Sequence, residues 1–70
     1  KAKLIPLEAS RGKAAAEFIN LFPPGIPILV PGEQISEEAY RRIRLCLEQG
    51  LTVQGIVGRG KSYQIKVLDI

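Results

Sequence analysis

The chain contains no histidine, no methionine, no tryptophan and only one cysteine. Each absence removes a class of chemistry. Without a second cysteine no internal disulfide can form, and without histidine a Cys/His zinc clip and a Cys–His nucleophilic pair are excluded. Aromatics are scarce: Phe18, Phe22, Tyr40 and Tyr63 are too scattered to make the stacking platforms of a nucleic-acid binder. No uninterrupted apolar run approaches the ~20 residues that span a bilayer, and no charged n-region followed by an apolar h-region opens the chain, so nothing reads as a signal peptide. The missing methionine, with Lys1 in first place, reads as a piece of a longer or processed polypeptide.

What is present is ordinary for a globular protein. The 70 residues are 46% hydrophobic and 24% charged, far from the disordered signature and enough for one small domain spanning 1–70. Ten basic and seven acidic residues leave a net charge of +3. The one local concentration, Arg41, Arg42 and Arg44, reads as a solvated helix face or the edge of an interface, so neither a nucleic acid nor a membrane is an expected partner. Cys46, between Leu45 and Leu47, reads as a small buried hydrophobe.

Lys3-Leu4-Ile5, closed by Pro6, suits an edge strand. Leu7 to Lys13 carries helix formers and a stop at Gly12, predicting a short helix. Propensity would extend it through Ala14 to Glu17, whereas Phe18 to Phe22 favours an extended segment running into Pro23-Pro24. Periodicity does not decide between them. From Phe22 to Glu33 (FPPGIPILVPGE), prolines 23, 24, 27 and 31 exclude a helix and leave Ile28-Leu29-Val30 as a short buried strand. Ser36 to Glu48 is a helix with Ser36 as N-cap and Glu37 and Glu38 in its first turn. Its apolar stripe is Ala39, Tyr40, Ile43, Cys46 and Leu47, and Gly50 follows as the stop. Leu51 to Ile56 and Ser62 to Leu68 alternate as strands, joined by a hairpin turn at Gly58 to Lys61. The fold class is α+β: one small domain of short strands, a capped helix at about 36–48 and a C-terminal hairpin.

Gly55 to Ser62 (GIVGRGKS) matches the phosphate-cradling pattern G-x-x-x-x-G-K-[ST] letter for letter. The mechanism requires a helix starting at the Lys-Ser pair, whose amides meet the phosphates. Here Lys61 and Ser62 lead into SYQIKVL, which alternates with period two. The glycines are those of a hairpin.

The stretch Glu8 to Glu33, EASRGKAAAEFINLFPPGIPILVPGE, resembles the C-terminal domain of the Orn/Lys/Arg decarboxylase family. The resemblance rests on Ala9 to Gly12, Ala16-Glu17-Phe18-Ile19, Pro23-Pro24-Gly25-Ile26-Pro27 and Pro31-Gly32-Glu33. The capped helix from Ser36 and the stop at Gly50 also fall where the family has them. It covers residues 5 to 56. The glycine of Ser10-Arg11-Gly12-Lys13 stands one residue later than in the family, and the final hairpin is poorly matched. The resemblance implies a pyridoxal-phosphate enzyme that decarboxylates arginine, lysine or ornithine, with the cofactor lysine following a histidine in a larger domain. None of Lys1, Lys3, Lys13, Lys61 or Lys66 has that setting. This piece is therefore expected to hold no catalytic residue, no cofactor and no metal. It would pack on the catalytic domain of the same chain near the substrate entrance, in a cytoplasmic homo-oligomer.

The residues expected at that entrance or interface are Phe22, Pro24, Gly25, Ile26, Pro27 and Glu33. Packing is the expected role of Phe22 and the prolines. For Glu33 two roles stand: drawing in a cationic substrate, or accepting hydrogen bonds from its own turn or the following helix. The alternative for the whole chain is a non-catalytic interaction module that docks a protein partner through its proline-rich loop.

Overall fold

The computed structural model describes residues 1–22, 25–59 and 62–69. Among these, six strands and one helix follow in the order β1 (Ala2–Pro6), β2 (Ile19–Phe22), β3 (Ile26–Leu29), α1 (Glu37–Glu48), β4 (Thr52–Gln54), β5 (Ile56–Arg59) and β6 (Ser62–Leu68). They build two antiparallel three-stranded sheets, β1-β6-β5 and β3-β2-β4. The α+β architecture is the one expected, with the helix packed on strands β3 and β4.

Alternation sets the faces. Along β6, Tyr63, Ile65 and Val67 turn inward while Gln64 and Lys66 are exposed. Ile65 is paired with Ile5 on one side and Ile56 on the other. In the helix Ile43 and Cys46 are buried, and Ala39, Tyr40 and Leu47 pack beside them. Leu7, Ile19, Ile35, Ile43 and Ile65 are at most 1% exposed, each a side chain whose burial is worth about 1.5–3 kcal/mol. Ser36 caps the helix as its sequence predicts, its Oγ accepting the Ala39 amide at 3.1 Å. Gly50 follows the helix in the left-handed region (φ 78).

Residues 12–16, which include most of the Ala14–Glu17 stretch on which propensity was divided, tie β6 to residues 32–35, the stretch that follows β3. Gly12 and Ala15 donate to the carbonyls of Ile35 and Glu33, and Ile35 and Gly32 donate back to Lys13 and Ala15, all at 2.7–2.9 Å. On the other side Ala16 donates to Lys66 (3.0 Å) and Leu68 donates to Ala14 (2.8 Å). The segment thus continues the edge of β6 beyond the end of β5. Backbone hydrogen bonding to two neighbours outweighs the helix propensity of three alanines.

Three expectations are corrected. The helix read at Leu7–Lys13 is a single 3-10 turn, Leu7–Ala9. Ser10, fully buried, turns its hydroxyl back onto the Leu7 carbonyl at 2.6 Å, and Gly12 then takes a left-handed conformation (φ 86), which ends the turn. The strand read at Ile28–Val30 is Ile26–Leu29 and includes Pro27; β3 is a sheet edge, where a missing N–H is tolerated. The strand read as Leu51–Ile56 is two strands in different sheets, broken at Gly55 (φ 99). In the C-terminal hairpin Gly58 and Arg59 belong to β5, opposite Tyr63 and Ser62, while Gly60 and Lys61 lie outside the described residues. Ser62 begins a strand, as the rejection of the nucleotide motif requires.

Candidate functional site

The proline-rich segment forms the β2–β3 hairpin and the turn that follows it. At the hairpin, Gly25 (φ 86) donates to the Leu21 carbonyl at 2.7 Å, and Leu21 stands opposite Ile26. Phe22 pairs through its backbone with Thr52; its side chain, together with Pro23 and Pro24, lies outside the described residues. Ile26 is 51% exposed. Pro27 is exposed and in register with Asn20.

Glu33 lies beyond the far end of β3. Val30-Pro31-Gly32-Glu33 is a turn with proline second and glycine third, and Gly32 takes the positive φ (88) that the third place of a type II turn demands. Glu33 closes it twice. Its amide donates to the Val30 carbonyl at 3.0 Å, and its Oε1 accepts the Val30 amide at 3.1 Å. The strand between Ile26 and Val30 spans roughly 13 Å, so Glu33 is not gathered with Gly25 and Ile26 into one cluster.

Lys1, Lys3, Lys13 and Lys66 are all exposed. Lys3 lies 3.6 Å from Asp69 and Lys66 3.3 Å from Glu17. Among the described residues no cluster of three or more metal-binding side chains exists, and no helix is long and apolar enough to cross a membrane. Two of the clustered arginines are engaged within the domain, Arg41 with Glu37 (3.1 Å) and Arg44 with Glu8 (3.3 Å). Arg11 ties the 3-10 turn region to the helix, reaching Glu37 at 3.3 Å and lying 4.6 Å from the centre of the Tyr40 ring.

Where the two sheets meet, an open cleft of about 500 Å³ lies among Glu17, Phe18, Asn20, Pro31, Gln54 and Gly55. Asn20 and Gln54 face each other across β2 and β4, and their amides are hydrogen-bonded at 3.1 Å. Phe18 is 57% exposed. The sequence expectations did not single out this group. Alternation with buried Ile19 and Val53 marks Asn20 and Gln54 as outward residues, but only the strand register brings residues 34 positions apart into one pair.

Residues 1–54 match the family described as "Orn/Lys/Arg decarboxylase, C-terminal domain". The chain is 49% identical over 53 residues to an arginine decarboxylase of Bacillus subtilis, covering 76% of this chain and 11% of that protein. It is 32% identical to an ornithine decarboxylase of Haemophilus influenzae, covering 99% of this chain and 11% of that protein. Among solved structures it superposes on the constitutive lysine decarboxylase of E. coli with a TM-score of 0.81 and 25% identity, over 97% of this chain and 11% of that one. The chain therefore spans about a tenth of the length of the relatives it matches. It belongs to the Orn/Lys/Arg decarboxylase family, and the part of that family it represents is the C-terminal domain.

Proposed function

We propose that residues 1–70 form a single accessory unit, the C-terminal domain of a pyridoxal-phosphate-dependent decarboxylase of arginine, lysine or ornithine. It packs on the catalytic body of the same chain beside the substrate entrance. The observation that carries this reading is the family match over residues 1–54, joined to relatives about nine-tenths of whose length lies elsewhere. Pyridoxal phosphate supplies the electron sink for the charge left when carbon dioxide departs. The contribution of this domain is to cover: a wall that excludes water strengthens the electrostatics inside a site. The exposed Ile26 and Phe18 are surfaces such packing would bury. The intact enzyme is read as a cytoplasmic homo-oligomer.

The test is expression of the complete reading frame, with carbon dioxide release measured from arginine, lysine and ornithine before and after removal of residues 1–70. Activity on one of the three, reduced without the domain while the cofactor's absorbance band persists, is the expected result. A frame without a cofactor lysine, or activity indifferent to the removal, would overturn the reading. The first of those outcomes favours the alternative, a non-catalytic module docking a separate protein through the proline-rich loop, for which the exposed Ile26 also speaks.

A further inference from the structure

We propose that the cleft between Phe18, Pro31 and the Asn20–Gln54 pair seats an extended segment of the catalytic body, one that brings a basic side chain to Glu17. The inference rests on the reading that the domain packs on such a body, and it says where.

The first argument is the amide pair. Asn20 Nδ2 donates to Gln54 Oε1 at 3.1 Å, which leaves one carbonyl oxygen and one NH₂ group of the pair free of each other. Turning both amides over leaves the same inventory. An acceptor and a donor side by side are the complement of a peptide group, with its N–H and C=O, in an extended chain. The second argument is shape. Gly55 offers the cleft no side chain, and Phe18, a large aromatic 57% exposed, stands with Pro31 as an apolar wall. A rigid aromatic beside proline gives contact area at little entropic cost.

The third argument is charge. Among the described residues that line the cleft, Glu17 is the charged one. Its Oε2 is 3.3 Å from Lys66 Nζ, with both side chains about half exposed (51% and 48%). Such a solvent-exposed pair is weak, which lets the Glu17 carboxylate meet a second cation. About nine-tenths of the length of the relatives lies outside the part this chain matches, so the remainder of the same polypeptide is the occupant at hand. The cleft is also continuous with the proline-rich strip, because Pro27, Asn20 and Gln54 occupy one register row across β3, β2 and β4.

The experiment places the photoreactive residue p-benzoylphenylalanine at Phe18 in the protein expressed from its complete reading frame. A second protein carries the same probe at Val57, which is exposed on the other sheet (48%). Adducts are mapped by mass spectrometry. The expected result is a Phe18 adduct on a segment outside residues 1–70 of the same polypeptide, with a lysine or arginine within a few residues. Adding Glu17→Gln should lower its yield roughly fivefold, the loss of one charged contact, and Asn20→Ala with Gln54→Ala should lower it further. Adducts from Val57 and none from Phe18 would overturn the cleft while leaving the packing reading intact. Phe18 adducts confined to residues 1–70 of a second copy would also overturn it. No adduct outside residues 1–70 from either position would take the packing reading down as well.

Discussion

Gly55 passes so close to Phe18 that a β-carbon on Gly55 would lie 2.6 Å from the Phe18 carbonyl oxygen. The same atom would stand 2.6 Å from Ile19 Cδ1. At φ 99 the residue also occupies backbone space that side chains rarely adopt, so the link between the two sheets needs glycine twice over. Gly55→Ala is expected to cost about 2–4 kcal/mol, the sum of backbone strain and overpacking. A β-carbon on Gly32 (φ 88) would meet nothing within 4 Å, so Gly32→Ala carries only the conformational part. Thermal melting of the two variants should rank Gly55→Ala clearly lower. Equal losses would show that the close approach does not matter.

The helix start offers a second, smaller test. The Ser36 hydroxyl accepts the Ala39 amide at 3.1 Å, and Glu37 and Glu38 stand in the first turn. Ser36→Ala should cost about 1 kcal/mol, and in a domain of this size each such unit lowers Tm by roughly 4–8 °C. Ser36→Asp should restore most of the loss, since aspartate caps as well. If alanine melts like the parent, the cap contributes nothing here.

What was legible in the residues was whatever repeats locally. The stripe from Ala39 to Leu47 and the alternation from Tyr63 to Val67 are each carried by side chains on one element, so helix and strand could be read directly. The helix read at Leu7–Lys13 was cut short locally, by Ser10 turning onto the Leu7 carbonyl, but the other errors lie where distant residues decide. The alanines at 14–16 are extended because Gly32, Glu33, Lys66 and Leu68 bond to that stretch, and nothing local announces those partners. The change of sheet at Gly55 depends on Phe18 and Ile19 passing beneath it. The cleft is harder still. Asn20 and Gln54 become a pair only through register, which two short polar-apolar alternations do not specify.

The nucleotide-like motif gives a prediction of no effect. Ser62–Leu68 is a strand, so no helix N-terminus is offered to a phosphate there. Lys61→Ala should leave thermal stability and nucleotide affinity unchanged, with titration calorimetry showing no magnesium-dependent ATP binding in either protein. Specific binding that disappears in Lys61→Ala would reinstate the motif.

For Glu33 the two roles can be separated by two substitutions. The Oε1 that accepts the Val30 amide at 3.1 Å has a counterpart in glutamine but none in alanine. If the side chain serves the turn, Glu33→Ala should lose about 0.5–1.5 kcal/mol and Glu33→Gln very little. Neither should change KM for the basic amino acid in the intact enzyme. A KM raised severalfold in Glu33→Gln with kcat unchanged would instead assign the carboxylate to drawing in the substrate.

Ile26 and Ile28 lie two residues apart on β3 yet should report on different things. Ile28 packs against the domain's own core, so Ile28→Ala should lower the stability of the domain itself by about 2 kcal/mol or more. Ile26 is 51% exposed, and Ile26→Ala should cost the domain well under about 1 kcal/mol, since much of the side chain already meets water. In the intact enzyme the order should reverse. If the catalytic body covers this edge, Ile26→Ala uncouples the domain without unfolding it. Hydrogen exchange should then quicken along β3 and decarboxylation should fall, while the melting of the domain stays near the parent value. Exchange along β3 in intact Ile26→Ala that matches the parent would mean that Ile26 faces solvent there too, and docking through the proline-rich strip would have to be given up.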